Sequence, residues 1–164
     1  MRLASILALV LGALLLGSGC GSSTDVTVNL DPSVWSTPGG VRYEIGPVQA
    51  GDTRAPDHFL AAVTSYLKVA LDEKGILAGP EDASHQIEIR FVRYRMRSGF
   101  SKRTFGIFAG KDGTTSLVRV IDVAGRQSMG ESRVETYNLT ESVTMDDMAR
   151  MHAKEIARFL AGER

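Results

Sequence analysis

Apolar residues at every second position predict the strands of this chain. One strand begins at Val41 and ends at Gly46, where a proline follows, and a shorter strand is predicted within 26–30. A longer strand is predicted over 86–96. Its apolar residues change faces near Phe91, so we expect a β-bulge at that point.

Two further strands are predicted close together along the chain. The first covers 117–123 and is rich in β-branched residues, and the second returns over 127–137. Asp122 and Gly125 occupy the first and fourth positions of a type I turn between them. We therefore expect these two strands to pair antiparallel.

Apolar residues at the helical period of about 3.6 predict two helices. The first begins at Asp57, its expected N-cap, and stops before Gly75. The second is predicted over 145–161, with Thr144 as its N-cap and Gly162 as its stop.

From Val41 onward the order of the predicted elements is strand, helix, three strands and helix. Strands that follow one another through short connections are expected to pair antiparallel, and the helices must bury their apolar faces against the sheet. The sequence thus predicts an α+β fold. Its architecture is a two-layer sandwich, with a mainly antiparallel sheet and two helices on one face.

The amino-terminal residues have the features of an export signal. Arg2 is followed by a charge-free run over 3–16, and small residues stand directly before Cys20. The apolar run is shorter than the roughly twenty residues that span a membrane. It is therefore interpreted as a cleaved signal and not as a membrane helix.

Cys20 and the residues before it resemble the signal of a bacterial lipoprotein, in which the cysteine becomes the acylated amino terminus. The resemblance implies a lipid anchor such as palmitate, and Gly21 resembles the sorting residue of lipoproteins of the outer membrane that face the periplasm. An ordinary secretory signal with a chance cysteine is the alternative. The chain is accordingly divided into a signal peptide, a lipidated tether and one α+β domain, over 1–19, 20–40 and 41–162.

The charges of the whole chain balance, with nineteen Lys plus Arg and nineteen Asp plus Glu among 164 residues. A neutral protein has no long-range field that attracts nucleic acid, so no nucleic-acid partner is expected. The single cysteine excludes an internal disulfide and a cysteine-based zinc site.

The segment 90–111 departs from this balance because it contains seven cations and no acid. Phenylalanines and glycines are interleaved with the cations, a composition that can bind an acidic protein or an anionic lipid surface. Alternate arginines can equally line the solvent face of an edge strand. The residues predicted to bind a partner are Arg95, Arg97, Phe100, Lys102, Arg103, Phe105 and Phe108.

Trp35 is the only tryptophan and lies in a stretch punctuated by proline and glycine. Two interpretations stay open for it. The indole could cover one edge of the core, or it could contact a partner.

Residues typical of catalysis are scattered along the chain. His58, His85 and His152 are too far apart in sequence to predict a metal site, and each is interpreted as structural. The glycine-rich stretch 106–111 lacks the spacing and the Ser or Thr of a phosphate-binding loop. Three glutamates are interpreted as a solvated strand face rather than as paired catalytic acids: Glu131, Glu135 and Glu141.

We therefore expect no catalytic residue, no metal and no cofactor, and a protein that is not an enzyme. A hydrolase whose residues converge only in three dimensions is the remaining alternative. A pocket that holds a carboxylate or histidine with a shifted pKa would support that alternative.

The pattern Arg103, Gly106, Ala109-Gly110, followed by a strand that ends in the turn at Asp122, resembles a group of small bacterial lipoproteins with a domain of unknown function. That domain is similar to the α/β domain of the curli-secretion lipoprotein and to the amino-terminal domain of TolB. The resemblance covers roughly 41–162. It implies the fold and an envelope location, and no catalytic residue.

These observations together favour a non-enzymatic envelope lipoprotein that binds or helps assemble another envelope component. Its expected partner, besides the membrane, is an envelope protein or a second copy of itself. The alternative is a periplasmic protein that binds an anionic cell-wall polymer or a small ligand.

Overall fold

The computed structural model describes residues 23–36, 40–96, 111–138 and 143–163. Its strands are β1 (Ser23–Thr27), β2 (Tyr43–Gln49), β3 (His85–Arg95), β4 (Asp112–Asp122) and β5 (Gln127–Asn138). Its helices are α1 (Asp57–Glu73) and α2 (Met145–Leu160), and a 3₁₀ turn covers Pro32–Trp35.

The five strands form one sheet in the order β1-β5-β4-β3-β2. β2 and β3, which α1 connects, are parallel, whereas the other neighbours are antiparallel. This arrangement confirms the predicted α+β sandwich with a mainly antiparallel sheet. Among the described residues, no helix is long and apolar enough to cross a membrane.

Both helices pack on the same face of the sheet, and Phe91 of β3 lies at their junction. Its ring centroid is 5.4 Å from that of Phe59 in α1 and 5.5 Å from that of His152 in α2. Alternate side chains of the central strands, such as Ile87 and Val118, are fully buried on this face. Each large apolar side chain buried in this way contributes about 1.5–3 kcal/mol.

The ends of α2 are fixed by the residues that the sequence indicates. Thr144 is the N-cap and accepts a hydrogen bond from the Asp147 backbone N–H, while the Asp147 carboxylate accepts one from the Thr144 N–H. Gly162 follows the helix with a φ of 74°, which favours glycine. The predicted bounds of this helix are therefore confirmed to within one residue.

The start of α1 differs from the prediction by one residue. Pro56, not Asp57, is the N-cap, and no side chain caps this end. Asp57 instead lies in the first turn, where its negative charge still favours the positive end of the helix dipole. Gly75, with a φ of 68°, follows the other end as predicted.

Two strands are longer than the sequence indicates. β2 does not end at Gly46 but continues past Pro47 to Gln49, because a register shift between Ile45 and Val48 accommodates a proline in a strand at the edge of the sheet. β4 begins at Asp112 and not at 117, because its first residues, although polar, are buried and paired with β5.

The predicted irregularity of β3 is confirmed, since its register with β4 shifts between Phe91 and Arg93. The predicted turn between β4 and β5 is also present. There the Gly125 N–H donates a hydrogen bond to the Asp122 carboxylate.

The amino-terminal part of the described chain belongs to the sheet. β1 lies slightly earlier than the predicted 26–30, and its first residue, Ser23, pairs with Tyr137. The side chain of Val34 is fully buried in the core. Much of the segment predicted as a tether thus packs on the domain, because β5 offers it an unpaired edge.

Candidate functional site

The residues predicted to bind a partner fall mostly outside the described part of the chain. Arg95, the last residue of β3, is exposed. The other six (Arg97, Phe100, Lys102, Arg103, Phe105 and Phe108) lie outside the described residues, as does Cys20. Their role stays a prediction.

His152 of α2 is the centre of a buried polar cluster that sequence reasoning did not find. Its Nε2 is 2.8 Å from the Ser116 Oγ of β4, and its Nδ1 is 2.9 Å from the Thr136 Oγ1 of β5. A hydroxyl can donate or accept, so a neutral imidazole satisfies both bonds with one N–H and one lone pair. The helix is thereby fixed to two strands at once.

The cluster has the atoms of a nucleophile and a base, and it is closed to solvent. The side chains of His152, Ser116 and Thr136 are fully buried. Burial lowers the pKa of His152 to about 3, which keeps the imidazole neutral. The interpretation of His152 as a structural residue is confirmed.

Three of the other titratable residues singled out in the sequence also have structural surroundings, whereas His58 is exposed in the first turn of α1 and Glu141 lies outside the described residues. His85 is buried, its Nδ1 lies 2.9 Å from the Ser84 Oγ, and burial lowers its pKa. Glu131 and Glu135 face Arg119 and Arg133 at 3.2 and 2.6 Å on the sheet face away from the helices. Within the described ranges, no three His, Cys, Asp or Glu side chains come together as metal ligands would.

A cleft is present on the flank of the domain. It has a volume of about 860 Å³ and lies between β1, the 3₁₀ turn and the end of α2. Apolar side chains and charged side chains share its lining: Thr24, Asp25, Val26, Val28, Trp35, Glu155, Arg158, Phe159, Gly162 and Glu163.

Trp35 forms one wall of this cleft. Its ring meets that of Phe159 edge to face, with centroids 6.2 Å apart, and a Cβ on Gly162 would lie 3.4 Å from the indole. The indole Nε1 is buried and finds no hydrogen-bond partner among the described residues. Trp35 thus covers an edge of the core, as one of its two interpretations holds, while its ring also borders a cleft.

The cleft rim is charged and partly paired. Arg158 lies 3.3 Å from Glu155 and 3.9 Å from Glu163, and Asp25 faces the cleft from β1. The sequence could not place these residues together, because β1 comes next to the end of α2 only through its pairing with β5. The one available signal was the position of the only tryptophan in a punctuated stretch.

A second surface is formed where β1 begins. The strand register places Arg95, Gly113, Tyr137 and Ser23 in one row across the sheet, and we call this the Ser23 end. The Lys111 ammonium lies 5.1 Å from the centroid of the Tyr137 ring, within cation–π range. The Ser23 end thus joins cations to the start of the described chain.

The α+β sandwich defined by this geometry occurs in solved structures. The PelC dodecamer from Paraburkholderia phytofirmans matches with a TM-score of 0.60 and 14% identity, over 86% of this chain and 98% of that chain. A single-substitution variant of the same PelC matches at a TM-score of 0.59, with the same identity and coverage. At this identity the likeness shows a shared fold.

A DUF4136 family protein from Bacteroides thetaiotaomicron matches more distantly, with a TM-score of 0.47 and 7% identity, over 87% of this chain and 98% of that chain. No family model and no curated protein matches the sequence. The likeness to PelC supports the expected fold, and the resemblance to small bacterial lipoproteins stays a prediction. The likeness to the curli-secretion lipoprotein and to TolB stays a prediction.

Proposed function

We propose that this protein is a non-enzymatic lipoprotein of the bacterial cell envelope, anchored by a lipid on Cys20, whose domain associates with further copies of itself. The observation that carries the proposal is the exposed edge of β1 beside the Trp35 cleft. An envelope protein of another kind is the competing partner.

The anchor is inferred from the sequence around Cys20. The charge-free run, the small residues before the cysteine and the lack of any other cysteine all suit acylation at this position. Metabolic labelling with a palmitate analogue tests this, with Cys20→Ala as the control. Label that persists in Cys20→Ala, or that is missing from the unaltered protein, would contradict the anchor.

The non-enzymatic character is supported by the position of the Ser116 and His152 side chains. Ser84 and His85 form another Ser–His pair, at 2.9 Å, in which the serine hydroxyl also bonds the Arg42 backbone. Ser116 and His152 likewise have the atoms and the spacing of a nucleophile and its base, and both are fully buried. Their hydrogen bonds join α2 to β4, which is sufficient to explain them.

Self-association is supported by the geometry of β1. This strand is at the edge of the sheet, pairs only with β5 among the described strands, and has mostly exposed side chains. An exposed edge offers unpaired N–H and C=O groups to another chain. Val28, just after β1, is 44% exposed and lines the cleft, so apolar surface adjoins that edge.

The solved PelC structures, which share the fold over most of this chain, are dodecamers. They provide a precedent for a domain of this fold that assembles with copies of itself. The proposal for this chain still depends on its own edge strand and cleft.

A photoreactive residue at Val28 tests the proposal directly, and one at Val69 is a matched control. Both valines are exposed, at 44% and 55%, but Val69 lies on α1, away from the cleft. We expect a ladder of self-crosslinked species from position 28 in intact cells, and none from position 69. A single band with another protein would identify a different partner, and no product from position 28 would overturn the use of this flank.

The cation-rich segment 90–111 is a separate candidate for partner contact. Photoreactive residues at Phe100 and Phe108 test it in the same cells. Substitution of Arg95, Lys102 and Arg103 by Glu should weaken capture without unfolding if this segment contributes. Unchanged capture would remove the segment from the proposal.

The size of the cleft favours a second candidate function, the binding of a small amphipathic ligand. A volume of about 860 Å³ lies within the range of ligand pockets, and its lining combines Trp35 and Phe159 with charged groups. A ligand there would change the fluorescence of Trp35, the only tryptophan. Saturable changes in the monomer would favour this candidate over self-association.

A further inference from the structure

We propose that the Ser23 end of the sheet faces the membrane and that Arg93 and Lys111 contact anionic lipid headgroups there. The proposal rests on the lipid anchor at Cys20 described under the proposed function. It adds the orientation of the domain and the surface that meets the lipid.

The short connection between Cys20 and β1 sets the orientation. Ser23 is held in the sheet by its pairing with Tyr137, and only three residue steps separate it from Cys20. Three steps span at most roughly 11 Å, whatever their conformation. An acylated Cys20 therefore keeps the Ser23 end close to the headgroups, and a long flexible tether is not available.

The charges at this end suit an anionic surface. Arg93 and Lys111 are exposed, and Arg95, also exposed, lies in the row that contains Ser23. Tyr94 turns toward the helices, with its ring 4.8 Å from that of Phe59, so the neighbouring Arg93 projects from the opposite, open face. Tyr137 and the Lys111 ammonium above it lie on that open face as well.

Acidic groups near this end are distributed differently. On the sheet, Glu135 is bonded to Arg133, and Asp25 lies opposite Glu135 in the next row. Asp112, the first residue of β4, is fully buried and lies close to Tyr94. Three further acids belong to the first turns of the helices, on the other layer: Asp57, Asp146 and Asp147. An anionic membrane should therefore attract the open sheet face and repel the helix layer, which gives the domain a defined tilt.

Trp35 lies toward the opposite end of the molecule. Leu30, just before the 3₁₀ turn, bridges to Gly130, and the seven residues of β5 from there to Tyr137 span roughly 23 Å. The only tryptophan thus reports on the membrane-distal end, while the only cysteine is the anchor point.

The single tryptophan and the single cysteine together permit a direct test of the orientation. The chain from Cys20 onward is coupled through its thiol to a maleimide lipid in vesicles that also contain a headgroup-region quencher. Fluorescence is compared between native Trp35 and a tryptophan introduced by Tyr137→Trp in a Trp35→Phe background. We expect strong quenching of the introduced indole and weak quenching of Trp35. Equal quenching of the two, or stronger quenching of Trp35, would overturn the orientation.

The charge contribution is tested with a matched pair of double variants. In phosphatidylglycerol vesicles, Arg93→Glu with Lys111→Glu should lower the population in contact with headgroups about fivefold for each cation removed. Lys68→Glu with Lys154→Glu, which changes two exposed lysines of the helix layer, should not lower it. An equal loss in both variants, or the same quenching in purely phosphatidylcholine vesicles, would overturn the headgroup contact.

The two proposals fail in different ways. Chemical coupling replaces acylation in the cell, so the quenching test remains valid whatever palmitate labelling shows. If labelling fails, the anchor and the proposed function fail with it. If labelling succeeds and the quenching pattern is wrong, only the orientation is overturned.

Discussion

The His152 cluster and the Trp35 cleft both contain buried ring nitrogens, and these differ in their hydrogen bonding. Both nitrogens of His152 have a hydroxyl partner within 2.9 Å, whereas the Trp35 Nε1 has none among the described residues. A buried donor without a partner costs about 1–3 kcal/mol. Both ring nitrogens of His152 are thus hydrogen-bonded, while the flank carries an indole N–H without a partner among the described residues.

This difference indicates that the His152 cluster stabilises the fold, whereas the Trp35 cleft has exposed surface on which a partner or ligand can bind. The His152 contacts join α2 to two strands and are closed to solvent. The Trp35 wall borders an open cleft beside β1, the edge strand of the described sheet. If the comparison is correct, substitutions in the first region should damage stability, and substitutions at the indole should leave it nearly unchanged.

The largest effect is expected from His152→Ala. It opens a cavity and leaves the hydroxyls of Ser116 and Thr136 without their partner, at a cost of about 3–5 kcal/mol in the free energy of unfolding. Denaturant unfolding measures this. His152→Gln, which keeps hydrogen-bonding atoms, should cost less, and a loss below about 1 kcal/mol for the alanine variant would contradict the role given to the cluster.

Gly130→Ala should destabilise the contact between β5 and the segment that leads from β1 to the 3₁₀ turn. Gly130 has a φ of 122°, and a Cβ there would lie 2.3 Å from the Asn29 carbonyl oxygen. We expect a loss of about 1–3 kcal/mol and faster hydrogen exchange at the Asp31 and Glu131 amides, which bond across this contact. Gly79→Ala is the control, because nothing lies within 4 Å of its Cβ, and an equal loss there would remove the steric explanation.

The buried imidazole also predicts a pH dependence of stability. The pKa of His152 is about 3 in the folded state, below its ordinary value of 6.5, so the unfolded chain binds the additional proton between these values. Stability should therefore fall as pH drops from 6.5 toward 3, by up to about 1.4 kcal/mol for each pH unit. Comparison with His152→Gln subtracts the contribution of the carboxylates. Parallel profiles for the two proteins would contradict the lowered pKa, because they would show that His152 binds its proton equally well in the folded and the unfolded state.

The smallest effect is expected from Trp35→Phe. The variant removes the unpaired N–H, which should stabilise the fold, and it buries less aromatic area, which should destabilise it. Because an aromatic edge remains against Phe159, the two effects should cancel to within about 1 kcal/mol. Trp35→Ala, which removes the aromatic contact, should cost more. A loss above about 2 kcal/mol for the phenylalanine variant would show that the indole N–H is bonded in solution.

Much of the fold could be predicted because its signals are local. The bounds of α2 follow from Thr144 and Gly162, whose capping roles depend on their immediate neighbours. The bulge in β3 follows from the change of apolar parity near Phe91. His152 shares the helix period of the buried Met148 and Ile156, and that signal is also local.

The candidate site could not be predicted in the same way. The first residues of β4 are polar, so the sequence does not indicate that they are buried. Their burial is explained by the structure, in which Ser116 of β4 and Thr136 of β5 both bond His152. The cleft needs β1 to pair with β5, more than one hundred positions along the chain from Ser23 to Tyr137. Neither hydropathy nor spacing carries information over that separation.

The sequence by itself determined the helices, most of the strands, the expected lipid anchor and the segment that concentrates positive charge. Only the tertiary structure decided the strand order, the parallel pairing of β2 with β3, and the meeting of Trp35 with Gly162. The physical reason is the range of the interactions. Caps, turns and periodicity act within a few residues, whereas strand neighbours and clefts arise from packing the whole core at once.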